Sequence, residues 1–214
     1  MSGKPTHEPE FLFDGPETAE VTVVLAHGDG APMNNHFLNF FASGLARQGF
    51  RVARFEFSYT TARRLGNSRR PRDQDDVLLN CWQSVIERLS TEHLVIGGKS
   101  LGGRIASMVA DRNHVRGLFC LGYPFHPPPH PDKLHIEHLR GLQTPTLIVQ
   151  GTNDPYGTPA EVADYRLSSA IRLHWLADAD HAFGPCGTSE RTTLQNRQEA
   201  LDATSNFIQE ILLR

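Results

Sequence analysis

Cysteine is scarce, with three in 214 residues. Cys81, Cys120 and Cys186 are odd in number and widely spaced, which argues against both a disulfide framework and a zinc ribbon. Cys81 and Cys120 lie in apolar segments and read as small core residues. A reducing, cytoplasmic setting is the expected location. Long hydrophobic runs are also lacking. The longest, at 23–26 and 147–149, fall far short of the roughly 20 residues that span a bilayer. The opening MSGKPTHEPE has no apolar core of the kind a secretory signal needs. Nor is there a strong charge of one sign: the formal net charge is −3, so no general attraction to nucleic acid or an anionic membrane is expected. Repeats and linkers are absent. The expectation is a flexible stretch over 1–10 and one domain over 11–214, of ordinary soluble composition at 39% apolar and 21% charged.

What is present is alternation. Short apolar runs at 21–26, 51–57, 93–97, 115–121, 146–150 and 171–176 read as strands. Between them lie segments of helical period. In 34–48, Phe37, Leu38, Phe41 and Leu45 fall on one face, and Gly49 stops the helix. In 73–89, Asp73 is placed to cap a helix whose apolar stripe holds Leu78, Cys81, Trp82, Val85, Ile86 and Leu89. Leu101, Ile105, Met108 and Val109 form a stripe over 101–110, and a last helix is predicted over 193–212. Thr158-Pro159-Ala160-Glu161 has the form of a capping box with proline at the first helical position. Leu12 and Phe13 can add an edge strand, and 61–72 reads as an arginine-rich loop. Continuously apolar strands alternating with helices indicate a parallel sheet covered on both faces. About two dozen residues separate the fourth and fifth of these strands, too few for an inserted cap domain.

The strongest chemical signal is Gly97-Gly98-Lys99-Ser100-Leu101-Gly102-Gly103. It holds G-x-S-x-G at Gly98, Ser100 and Gly102, between a strand and a helix, as a nucleophile elbow requires. A tight strand-to-helix turn demands small residues two positions either side of the serine. It projects the hydroxyl at the positive end of the following helix. Gly98-Lys99-Ser100 also resembles the end of a phosphate-binding loop. That motif needs a glycine where this chain has His93, and residues 93–96 are strand sequence.

An unactivated serine is a weak nucleophile and needs a base and an orienting acid. Such folds order these as serine, acid, histidine. Asp154, just past the fifth strand, fits the acid, and His181, after the sixth, fits the base. Asp178 and Asp180 are nearby alternatives for the acid, but so close in sequence to His181 that they reach its far nitrogen poorly. The oxyanion hole is predicted from the amides of Leu101 and of Asp29 in the loop His27-Gly28-Asp29-Gly30, with Gly30 second and His27 structural. Gly30, Tyr123, Phe125 and Arg64 are candidate pocket residues, because each follows a strand toward the same sheet edge. Among Arg63, Arg64, Arg69, Arg70 and Arg72, one or two could hold an acidic substrate group, against the plainer reading of a solvated loop balanced by acids at 73–76. Lys99 reads either as a surface ion-pair partner or as a source of positive potential. His126, His130, His135 and His138 cluster, yet no carboxylate or thiol has ligand spacing, so no metal is expected.

The segments HGDGAPMNN, RFEFSY, GGKSLGGR, GYPFHPP, PTLIVQGTNDPYG and DADHAF resemble the small α/β-hydrolases similar to testis-expressed protein 30 and to the hydrolase-like region of KAT8 regulatory complex subunit 3. More distantly, the chain is similar to dienelactone hydrolases, though these carry a cysteine where this chain has Ser100. The resemblance runs from about residue 11 onward. It implies the α/β-hydrolase fold, with a mostly parallel sheet of about six to seven strands, helices on both faces and no cap domain. It also implies Ser100, Asp154 and His181 as a triad. The expected function is a cofactor-free serine hydrolase acting on a small-molecule ester, thioester or lactone. The alternative is a catalytically silent protein of the same fold acting as an interaction module.

Overall fold

Side chains on successive strand residues point to opposite faces, so a strand buried on both faces must be apolar throughout. The computed structural model describes residues 9–89 and 92–213. Of the stretch 1–10 expected to be flexible, residues 1–8 lie outside them. Seven strands form one sheet: β1 Phe11–Asp14, β2 Thr22–Ala26, β3 Arg51–Phe55, β4 Leu94–Lys99, β5 Gly117–Leu121, β6 Thr146–Gly151 and β7 Ile171–Leu176. Their order is β1-β3-β2-β4-β5-β6-β7. All neighbours are parallel except β1, which pairs antiparallel with β3. The helices are α1 His36–Arg47, α2 Ser58–Arg64, α3 Asp75–Arg88, α4 Leu101–Val109, α5 Pro159–Ala163 and α6 Thr193–Leu212.

The alternation sorts the core into two layers. Val24, Ala26, Ile96, Leu118, Cys120 and Ile148 pack with α3 and α4 through Trp82, Val85 and Ile105. Val23, Leu25, Val95, Phe119, Leu121 and Val149 pack with α1 and α6 through Phe41, Leu45, Leu201 and Ile208. Each fully buried large apolar side chain contributes about 1.5–3 kcal/mol, so these two layers dominate the fold's stability. β1 is different: Leu12 and Phe13 remain exposed, as an edge strand allows, and the Arg51 guanidinium covers the Phe13 ring.

The arginine-rich segment departs from expectation at its start, where Ser58–Arg64 is helical. Thr60, Thr61 and Tyr59 are indifferent helix formers, and the missing support comes from afar. Asp73 accepts hydrogen bonds from Ser58 Oγ and from the Tyr59 amide. The carboxylate expected to cap α3 therefore caps α2, and Gln74 takes the α3 cap position without a side-chain bond. The capping box at Thr158 and Glu161 forms in full. Among the described residues no helix is long and apolar enough to cross a membrane. Residues 122–145, between β5 and β6, carry only a short 3-10 turn, His138–Arg140, and no lid domain.

The glycines of the β4–α4 turn answer to steric limits. A Cβ on Gly102 would lie 2.5 Å from His27 O, and one on Gly98 would lie 2.7 Å from Ala26 O. Both clashes are with backbone of β2 and its following loop, which cannot swing aside. Gly102→Ala is therefore expected to destabilise the fold by about 2 kcal/mol or more. Urea unfolding checks this, with a clearly lower midpoint at an unchanged slope as the expected result.

Candidate active site

Ser100 sits between β4 and α4 with φ 50° and ψ −116°. This is backbone space that a non-glycine residue enters only when its surroundings hold it there. They do so here: the Ser100 amide donates to Leu121 O on β5, and its carbonyl accepts from the Arg104 amide of α4. The side chain is left to project from the carboxyl edge of the sheet. Ser100 Oγ lies 2.9 Å from His181 Nε2. His181 Nδ1 lies 2.7 Å from Asp154 Oδ2. Because the carboxylate accepts from Nδ1–H, Nε2 is left as the acceptor for the serine hydroxyl.

Burial differs along this chain of bonds. The Asp154 side chain is 0% exposed and that of His181 22% exposed. Two more donors hold the acid: Gln150 Nε2 reaches Asp154 Oδ2 at 2.8 Å, and the Tyr156 amide reaches Oδ1 at 2.9 Å. Gln150 also exchanges hydrogen bonds with the Tyr123 backbone, which ties β6 to the end of β5 beneath the site. The Tyr156 ring lies against the imidazole, with centroids 4.3 Å apart. Burial lowers the pKa of His181, the Asp154 hydrogen bond raises it, and the nearby Lys99 charge lowers it. The net displacement is downward, so at neutral pH the ring is predominantly the free base.

The hydrogen bond of His181 Nδ1 goes to Asp154 and not to either alternative acid. Asp180 accepts from the Ala182 and Gly184 amides and shapes the histidine loop. Asp178 is exposed, and its amide donates to Thr152 Oγ1. His27 is a buried clamp. Its Nε2 accepts from the Phe57 amide, so Nδ1–H donates to Gly28 O, and burial lowers its pKa. Tyr59 OH donates to Asp29 Oδ1 at 2.9 Å. The loop 27–31 is thereby fastened to the end of β3 and to α2. It also packs against Ser100, since a Cβ on Gly28 would lie 3.6 Å from Ser100 Cβ. Asp29 and Gly30 are exposed, and Leu101 is the first residue of α4.

The pocket candidates divide. Tyr123 and Phe125 are fully buried and pack against each other at a tilt in the core, and Tyr123 OH donates to His135 O. The chain turns back after β5, so these rings point inward and not onto an open wall. Arg64 already pairs with the buried Glu56, and Arg70 with Asp73. Arg63 is the arginine nearest the loop: it stacks on Tyr59 and lies 3.9 Å from Asp29. Lys99 is no surface ion-pair partner, because its amine is shut off from solvent and has no hydrogen-bond partner among the described residues. Of the histidine cluster, His126 faces Glu161, His135 bonds Pro124 O and His138 bonds Ser107. Among the described residues no group of His, Cys, Asp or Glu could hold a metal ion.

Sequence reasoning missed Gln150, Tyr156 and Tyr59. Gln150 had a signal, as the one strongly polar side chain late in an apolar strand. The other two had none beyond lying near the motifs.

A seven-stranded sheet of this order with a strained serine elbow at its carboxyl edge defines the α/β-hydrolase class. The family described as alpha/beta hydrolase domain matches residues 19–209, and the chain belongs to it. Solved structures agree on the fold. An α/β serine hydrolase without a lid from Xanthomonas campestris is 23% identical, covering 93% of this chain and 94% of its own, with a TM-score of 0.68. An alpha-beta serine hydrolase homologue from Coxiella burnetii is 21% identical over 96% and 94%, with a TM-score of 0.70. Est1E from Butyrivibrio proteoclasticus is 13% identical over 95% and 94%, with a TM-score of 0.71.

Replacing His27 by leucine keeps the bulk but strands the buried Phe57 amide. The expected cost is about 1–3 kcal/mol, read as a lower urea midpoint. A midpoint equal to the native one would show that the clamp carries no stability.

Proposed function

We propose that this chain is a serine hydrolase that cleaves small esters, thioesters or lactones through an acyl-enzyme on Ser100. The observation that carries the reading is the unbroken chain of hydrogen bonds from Ser100 Oγ through His181 to the buried Asp154. His181 Nε2 takes the proton as Ser100 attacks the carbonyl, and Asp154 steadies the imidazolium that forms. The amides of Leu101 and Asp29 hold the oxyanion, the first at the positive end of α4 and the second in the loop packed against the serine. His181 then protonates the leaving group. Water, activated by the same imidazole, releases the acyl group and restores the serine. The scheme uses no cofactor.

The 122–145 connection carries no helix beyond the His138–Arg140 turn that could serve as a lid, which favours short acyl groups over long chains. A cytoplasmic setting is part of the same proposal and accords with three free cysteines. So is closer kinship with the group around testis-expressed protein 30, which rests on GGKSLGGR and the Gly-Tyr-Pro-Phe-His segment at 122–126.

A fluorophosphonate probe tests the nucleophile. The native chain should be labelled and Ser100→Ala should not, while Asp154→Asn should slow labelling by about a thousandfold or more. A folded native chain that resists the probe would favour the catalytically silent interaction module. A series of p-nitrophenyl esters tests the substrate range, with methyl ferulate added because Est1E has been solved with ferulic acid bound. Activity should be greatest from acetate to butyrate and fall about tenfold toward long chains. A preference for long acyl chains would overturn the small-substrate reading.

A further inference from the structure

The residue immediately before the nucleophile has no role in this scheme, yet its side chain is turned inward. The Lys99 amine lies 5.6 Å from the Phe37 ring centroid and 5.9 Å from that of Phe183. A Cβ on Gly122 would lie 2.7 Å from Lys99 Nζ, 3.1 Å from His181 O and 3.2 Å from His181 Nδ1. The amine and the ring nitrogen that faces Asp154 thus flank one small space, which stays open because residue 122 is glycine at φ 68°. Within this charge group Asp154 and Asp180 favour the lysine cation, and Arg197 from α6 opposes it. His181 itself faces Asp154, Asp180 and Lys99. None of the carboxylates closes a hydrogen bond with the amine, which has no bonded partner among the described residues.

A buried amine without a hydrogen-bond acceptor costs free energy that the two ring faces, at 5.6 and 5.9 Å, offset only in part, and an apolar side chain of similar length would avoid that cost. Packing alone does not account for a lysine here. We propose that Lys99 is a positioning residue that acts through His181: its amine, lodged between Phe37, Phe183 and Gly122, sets a positive charge behind the imidazole and holds His181 ready as a free base. The inference deepens the proposed catalytic site, but its principal readout, the proton affinity of His181, does not require catalysis.

The sign is fixed by the geometry. A lysine cation disfavours a second cation on His181, so the ring takes up its proton at lower pH while Lys99 is charged. Burial brings the Lys99 pKa down to about 7, so the amine itself titrates near neutrality. The two groups then titrate as a coupled pair and not as independent sites.

The test follows the His181 ring protons by NMR in the native chain and in Lys99→Met, with the resonance identified by its loss in His181→Gln. In Lys99→Met the midpoint should rise by about one pH unit. A biphasic native curve should become a single-site one. The melting temperature should hold or rise, since a stranded amine is gone. Lys99→Gln is the second variant should methionine disturb the packing, and it should move the midpoint the same way. A midpoint that stays put or falls in whichever variants fold overturns the proposal. The fluorophosphonate rate adds a second readout: Lys99→Met should lose reactivity near pH 6 and keep it near pH 8, whereas a merely structural role would lower both alike. If the native chain shows no labelling but the His181 midpoint moves, the hydrolase reading fails and the Lys99 inference stands.

Discussion

The close crossing of the β4–α4 turn over the end of β2 is the constraint on which the site depends. Gly98 and Gly102 come so near the Ala26 and His27 carbonyls that a single methyl group would collide. Only at that separation can Ser100 be held at positive φ with its hydroxyl aimed along the sheet edge. The strain is local, of order 1–3 kcal/mol, and the surrounding hydrogen bonds to Leu121 and Arg104 over-determine it. The loop 27–31 lies on the other side of the same contact, so the shape of the turn and the placement of that loop cannot be altered separately.

From this crossing the remaining parts follow by topology. β4 is central, and the edge strands lie far from it on either side. The acid comes from the end of β6 and the histidine from the loop after β7, at the same edge as the serine because the strands run parallel. Buried polar groups complete the scaffold in pairs: Gln150 with Asp154, and His27 with Phe57. In both pairs the buried donor has an acceptor. The Lys99 amine, next in sequence to Ser100, has no such acceptor, and its position invites a functional explanation.

Periodicity and turn chemistry made most of this legible. Strand residues such as 117–121 carry no polar side chain because both faces are covered, and the pattern says so directly. The elbow is readable because its glycines are required by sterics and not by preference. What could not be read were properties of three-dimensional placement. Tyr123 and Phe125 follow a strand, as pocket residues do, yet the backbone turns them into the core. Asp73 has the form of a helix cap but serves the helix before it, because α2 folds back across the loop. Lys99 looks like any surface lysine, and only its neighbours Phe37, Phe183 and Gly122, distant along the chain, turn it inward. Each miss arises where a long-range contact overrides a local rule.

The separation between the serine and its histidine, 81 positions along the chain, has a further consequence. The loop that carries His181 follows β7, which is held to the sheet by its parallel pairing with β6. The serine turn is held by β2 and β5, so it can keep its shape while the β7 end of the sheet opens. A local opening of β7 would therefore part the His181 imidazole from the Ser100 hydroxyl before the rest of the sheet gives way.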